Sequence, residues 1–189
     1  KVFRWIAPSI NGDTLHGSYE PIIQLVTPKQ KQMVNLGADY VLSKTTRLSI
    51  EGVISKNDIN TFSSANSEDD VGYALKMSLD HSTPLFKKNN TDTIAHRLNL
   101  FTNINYEYVQ ANFSPIERYR SVEFERDWNR GNLNMVNDQH IVSASVGLVK
   151  KEITLIGYKF NAFLESNRYN AYKHNATISL SKDGFIAHY

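Results

Sequence analysis

The sequence predicts an all-β protein, an antiparallel up-and-down transmembrane β-barrel or a multi-strand portion of a larger one. Three observations predict it. Apolar and polar residues alternate over ten or more positions, again and again, which is the period-two signature of strands with two unlike faces. Short and long connections alternate between those stretches, as at the two ends of a membrane-spanning barrel. The alternating stretches are also about 10 to 13 residues long, against about 5 to 6 for an average soluble strand and about 9 to 11 for a tilted strand crossing a bilayer.

Residues 31–43 set Val34, Leu36, Ala38, Tyr40 and Leu42 against Asn35, Gly37, Asp39 and Ser43. Residues 47–56 set Leu48, Ile50 and Ile54 against Arg47, Ser49, Glu51 and Ser55, and residues 71–81 set Val71, Tyr73, Leu75, Met77 and Leu79 against Gly72, Ala74, Lys76, Ser78 and Asp80. The clearest case is 96–111. There Leu98, Leu100, Thr102, Ile104, Tyr106 and Tyr108 oppose Arg97, Asn99, Phe101, Asn103, Asn105 and Glu107; wound as a helix, the two sets would mix around its surface. Three more follow at 139–149, 152–165 and 172–181, with Val142 and Val146, Ile156 and Tyr158, and Ala176 and Ile178 on their apolar faces. Weaker strands are expected at 19–26 and from Phe185 onward, for a total of about nine strands by this pattern.

Tight connections are expected at 44–46, 149–152 and 181–184, and long ones, rich in Asn, Ser, Asp and Arg, at 57–70, 112–138 and 165–171. If consecutive strands pair antiparallel, the short turns share one edge of the sheet and the long loops the other; residues 82–95 fall on the short side but are long. Residues 116–130 fit neither period cleanly and read as a structured loop or an extra hairpin arm. Lys1 at the start and a strand barely begun after the 181–184 turn read as a piece of a larger protein.

The charge is nearly balanced, with 21 Lys and Arg against 19 Asp and Glu, and this argues against a nucleic-acid module with its basic stripe. With no cysteine, disulfide scaffolds, thiolate metal sites and thiol nucleophiles are excluded. No stretch approaches the roughly 18 apolar residues of a spanning helix, a test that says nothing of barrels.

Period two alone fits a soluble sandwich or lipocalin-like barrel, with apolar side chains inside, or an outer-membrane barrel, with apolar side chains facing lipid. A membrane barrel would turn its apolar face to lipid and enclose a wet polar lumen, because hydrocarbon forces every backbone group to be paired. The lumen-facing set would then be Arg47, Glu51, Lys76, Asp80, Arg97, Asn103, Glu107 and Lys159, with charge partners expected as Arg47 with Glu51, Lys76 with Asp80 and Arg97 with Glu107. The 19 Asn and 17 Ser suit such an interior and its loops. Tyr40, Tyr73, Tyr106, Tyr108, Tyr158 and Tyr172 fall toward strand ends, where an interfacial aromatic girdle would stand. The alternative is a soluble secreted or periplasmic β-sandwich that binds carbohydrate or protein, with those tyrosines as ordinary core or surface residues.

Through its alternating strands and its rhythm of short turns and long loops, the chain resembles the outer-membrane β-barrel proteins of Gram-negative bacteria. Its Asn- and Tyr-rich strands and the run 120–128, Arg-Ser-Val-Glu-Phe-Glu-Arg-Asp-Trp, are similar in style to the large surface barrels of the Bacteroidota. The resemblance implies a place in the bacterial outer membrane, contact with its lipid and insertion by the barrel assembly machinery. It further implies a role in transport, secretion or surface architecture; the expected function is a channel or a component of an outer-membrane transport or secretion complex with protein partners in the envelope, and not an enzyme.

The densest charge constellation is Glu117, Arg118, Arg120, Glu123, Glu125, Arg126, Asp127 and Arg130, interleaved with Tyr119, Phe124 and Trp128. As an interaction loop it would use Arg118, Arg120, Glu123, Glu125, Arg126 and Trp128, through charge-assisted pairs and an aromatic anchor. The bland expectation, and the favoured one, is a solvated loop held by its own weak ion pairs. Carboxylates beside arginines are a poor source of a raised-pKa glycosidase acid. The histidines show no metal-ligand spacing. His140 near Ser143 and Ser145 lacks a local third member for a hydrolytic triad, and the acidic groups at 57–58 and 68–70 lack calcium-loop spacing. No catalytic residue, cofactor or metal is expected.

Overall fold

The computed structural model describes residues 26–65, 67–85, 98–131, 137–150, 153–166, 168–182 and 185–188. They form an antiparallel meander whose strands lie in sequence order: β1 (Gln30–Ser43), β2 (Thr46–Asp58), β3 (Val71–Pro84), β4 (Leu98–Val109), β5 (Gln139–Lys150), β6 (Ile153–Glu165), β7 (Tyr169–Lys182) and β8 (Phe185–His188). One short helix, α1 (Phe124–Asp127), lies between β4 and β5. The fold is therefore all-β and up-and-down, as the alternation predicts. It is one open sheet: β1 pairs with β2 and β8 with β7, and no ladder joins β1 to β7 or β8 among the described residues. No second sheet packs on it among those residues, so the two layers of a sandwich are not what these strands build.

Eight of the nine expected strands fall among the described residues, and all eight form. The weak strand at 19–26 falls outside the described residues except for Val26, while the one from Phe185 forms β8. The first turn is shorter than expected, with Ser43 already facing Thr46 across Lys44 and Thr45. Residues 116–130 form no hairpin arm; they form a loop containing α1.

Register keeps the two faces apart across the whole sheet. Ala38, Ile50, Met77, Tyr106, Val142, Ala162 and Tyr172 stand opposite one another in a single row, and so do Tyr40, Leu48, Leu79, Ile104, Ala144, Phe160 and His174. Because strand side chains alternate, a slip of one residue in any pair would turn that strand's apolar set to the polar side. None occurs before the irregularities near the turn ends, at Val41/Ser43 and Leu148/Val149.

Burial is inverted relative to a soluble protein. The apolar face is bare: Leu36 is 82% exposed and Val34 69%, and Tyr40, Ile54, Ile104, Val146, Ile156 and Tyr172 are all exposed. The small core lies on the polar side at the long-loop end, where Val109, Trp128 and Phe163 are buried together with Ser55, Arg130, Gln139 and Glu165.

Candidate functional site

That core exists because residues 110–131 fold back over the polar face as a strap. Its root is fixed by the backbone. Gln110 exchanges bonds with Tyr73, donating through its own N–H and accepting on Oε1, and Ala111 N–H donates to Asp138 Oδ1 at 2.9 Å. Ser114 N–H then donates to Ser55 Oγ at 3.0 Å, on a side chain with no exposed surface. Beside it the strap presses on β3 so closely that a Cβ at Gly72 would collide with the backbone of Asn112 and Phe113. Glycine is the residue that permits this approach.

Two arginines then fasten the strap to the strands. Arg120 donates to Glu107 Oε1 at 2.9 Å and to Gln139 Oε1 at 2.7 Å, with its guanidinium 4.2 Å from the Phe124 ring centre. Partial burial raises the Tyr119 hydroxyl above its ordinary value, and the charge of the adjacent Arg120 pulls the other way. After α1, Asn129 adopts a left-handed φ of 51°, a conformation Asn tolerates better than most residues. The chain turns there and delivers Arg130 beneath the strap. Its Nη2 donates to Glu165 Oε2 at 2.8 Å, its Nη1 lies 3.2 Å from the Glu125 carboxylate, and its guanidinium is 4.9 Å from the Phe163 ring centre. Trp128 packs 5.5 Å from Phe163, carries the Lys173 ammonium 4.1 Å above its ring, and its carbonyl accepts the Tyr169 hydroxyl at 2.6 Å. The strap thus runs from β2 and β3 to β6 and β7.

The expectation of a solvated loop held by its own ion pairs is corrected. It describes Glu123 and Arg126, an exposed pair at 3.0 Å, and Arg118, which bonds the carbonyls of Arg120 and Ser121. Arg120 and Arg130 instead reach strand carboxylates, and Arg130 and Glu165 have no exposed side-chain surface. Glu125 serves Arg130, and Trp128 faces the sheet, not solvent.

The polar strand residues share a face as expected, with different neighbours. Arg47 stands opposite Asp80 and Glu51 opposite Lys76; Glu107 also faces Lys76 but is taken by Arg120. Arg97 lies outside the described residues. Asn103 donates to Asp80 Oδ1 at 2.7 Å, and Lys159 lies between Ser145 and Asn175. Beside the strap, a cleft of about 750 Å³ opens over β1–β4, lined by Met33, Val53, Glu51, Lys76, Phe113 and Ile116 among others. Sequence reasoning missed Glu165, Gln139 and Phe163. Each reads as one more strand residue until the strap is laid upon it.

On the bare face, the six singled-out tyrosines all point the same way, though Tyr158 stands in mid-strand. With Phe160, His140 and His174, five of them form a band that crosses the hydrogen-bond rows obliquely. Phe160 shares a row with Leu79, six residues past Tyr73 and three strands away; Tyr172 shares a row with Met77, four residues past Tyr73 and four strands away. The drift is one to two residues per strand. A strand tilt of about 45°, with strands about 4.8 Å apart and a rise of about 3.4 Å per residue, brings the same depth in a bilayer to a new row at roughly 1.4 residues per strand. Tyr40, at the turn end of β1, stands outside the band. The three histidines with described side chains lie on this face, each bonded through Nδ1: His81 to Thr46, His140 to Tyr106 and His174 to Tyr158. His140 therefore faces away from Ser143 and Ser145, and the hydrolase arrangement fails on strand parity. Among the described residues, no three His, Asp or Glu side chains converge as metal ligands.

Comparison of the chain with protein-family models, with curated proteins and with solved structures found no match.

Proposed function

We propose that this chain forms wall of an outer-membrane β-barrel, with its apolar face against lipid and its strap on the water side, serving as a channel or as a component of an outer-membrane transport or secretion complex. The observation that carries the reading is the inverted burial: every long strand turns large apolar side chains to a face that no described residue covers, while a fully buried ion pair sits on the opposite side. In water such a continuous apolar face would far exceed the few hundred Å² that soluble monomers expose. Against hydrocarbon it is the favourable arrangement, and the oblique aromatic band lies where amphipathic rings are stabilised at a bilayer margin. Strands of 12 to 14 residues suffice for a tilted crossing. On this reading the protein carries out no chemistry of its own; the strap and the polar strand face govern what passes or docks at the long-loop end.

Partitioning tests the reading. The purified chain should need detergent to stay dispersed and should float with liposomes in a density gradient. A monodisperse protein in buffer alone would sink the proposal.

A further inference from the structure

The polar face is not polar throughout. Toward the long-loop end, positions that strand parity turns to this side hold Val53 on β2, Ala74 on β3 and Val109 on β4, and the register sets the three side by side in one row. With Phe113, Ile116 and Tyr119 of the strap they give the cleft of about 750 Å³ an apolar lining, at a size ordinary for a small-molecule site. Phe113 and Tyr119 meet edge to face with ring centres 6.0 Å apart, so the strap's side of the cleft is braced by its own packing.

The adjacent row carries charge. Glu51 and Lys76 stand directly opposite each other on β2 and β3, two residues along each strand from Val53 and Ala74, and both line the same cleft. Gly37 is the β1 neighbour of Glu51, so no side chain flanks the carboxylate there. Glu107 is the β4 neighbour of Lys76, and its carboxylate is taken by Arg120 at 2.9 Å. Among the described residues neither Glu51 nor Lys76 makes an ion pair within 4 Å. Both side chains are exposed, and attraction between two such groups across water is too weak to hold them together against a ligand that serves each. Arg118, also in the lining, spends its donors on the carbonyls of Arg120 and Ser121, and Glu117 comes from the strap, not from the strands.

We infer that this cleft binds a free α-amino acid with a large apolar side chain, its carboxylate on Lys76, its ammonium on Glu51 and its side chain over Val53, Ala74 and Val109. A ligand bearing an anion alone would set it beside Glu51, and one bearing a cation alone would set it beside Lys76. A ligand with both charges close together answers the pair. An α-amino acid carries them on one carbon, whereas the termini of an extended peptide separate by about 3.3 to 3.6 Å per residue. The charged and apolar rows lie two residues apart, about 6.8 Å at a rise of about 3.4 Å per residue, which is the reach of a leucine or phenylalanine side chain. The site lies on the face away from the proposed lipid contact and does not depend on it.

Equilibrium dialysis of the full chain in lipid nanodiscs, with empty discs as the blank, tests this with radiolabelled L-phenylalanine and L-leucine. Saturable binding at one site per chain is expected. Glycine carries the same two charges without a side chain for the apolar row, and 3-phenylpropionate and 2-phenylethylamine carry the ring with one charge each. As unlabelled competitors all three should be weaker than L-phenylalanine by about tenfold or more. Glu51→Gln and Lys76→Met should each weaken L-phenylalanine by about tenfold or more. Lys159→Met, on the same face between Ser145 and Asn175, should leave it unchanged. Unshifted Trp128 emission in the Glu51 and Lys76 variants, read in a Trp5→Phe background, shows that the strap is still seated.

Absence of saturable binding by both amino acids would overturn the inference. So would any of the three competitors matching L-phenylalanine, binding untouched by either the Glu51 or the Lys76 variant, or an equal loss in Lys159→Met. A protein that floats with liposomes and binds neither amino acid loses this site and keeps its lipid-facing face. One that stays dispersed in buffer without lipid loses the membrane reading, and the same dialysis in buffer then decides the site.

Discussion

Arg130 Nη2 stands 2.8 Å from Glu165 Oε2, and neither side chain has any exposed surface. The pair joins the end of the strap to the end of β6 across 35 residues of chain, on the polar side of a sheet whose apolar side is bare. Its energetics set the first expectations.

Removing Arg130 leaves the Glu165 carboxylate buried without its cation, and removing Glu165 leaves the buried Arg130 guanidinium with only the part-exposed Glu125 carboxylate. Glu165→Leu or Arg130→Met should each destabilise the folded protein by about 3 to 5 kcal/mol, and the double variant should recover much of that loss because no fully buried charge remains and Glu125, left without Arg130, is part-exposed to solvent. Urea unfolding of the four proteins in the same detergent measures the cycle; equal losses in the single and double variants would show that packing around Phe163, not charge, holds the strap.

The strap's root offers a steric test. Gly72→Ala places a methyl group against the backbone of Asn112 and Phe113, neither of which can yield as a flexible side-chain tip would. A loss of about 1 to 3 kcal/mol is expected, together with faster tryptic cleavage at Arg118, Arg120 and Arg126. Gly52→Ala is the control, since a Cβ there meets nothing within 4 Å; its cleavage rate should match the parent's.

Trp128 reports on the same contact. It is buried against Phe163 and beneath Lys173, and Trp5 is the only other tryptophan. In a Trp5→Phe background, the emission should be blue-shifted and poorly quenched by acrylamide, and it should move to the red in Glu165→Leu. Emission already at the solvent wavelength in the parent would mean the strap does not rest on the sheet.

Depth on the bare face gives the fourth. Ile104 lies at the middle of the apolar row on β4 and is 45% exposed. On the proposed lipid-facing reading, Ile104→Arg should impair membrane assembly, at about 2 to 4 kcal/mol if it sits near the midplane. Asn103→Arg points to the polar side beside Asp80 and should assemble normally, as judged by the fraction of folded protein on unheated gels.

Strand identity and facing were legible in the sequence because they depend only on period two: Val34 with Leu36, or Ile104 with Tyr106, declare their side without reference to any other strand. Charge partnership was not legible. Arg47 reads as a neighbour of Glu51 along the chain, yet the register sets it opposite Asp80, a fact that belongs to the pairing of two strands. The strap was the least legible part. Arg120 and Arg130 look alike in a run of charges, and what distinguishes both from Arg126 is burial against Glu107 and Glu165, residues outside the run. His140 shows the converse, where nearness in sequence to Ser143 suggests chemistry that parity denies.

Val109 and Gln139, at the two ends of the excursion that contains the strap, stand directly opposite each other in the β4–β5 ladder. In topological terms residues 110–138 are therefore a hairpin loop, inserted between strands whose alignment does not depend on it. The sheet can be threaded and zipped from its own hydrogen bonds, and the strap can dock afterwards as a late step. The same property makes the excursion an exchangeable cassette: a two-residue turn, or a loop of different chemistry, grafted between those two positions would keep the strand alignment while changing the chemistry laid over the polar face.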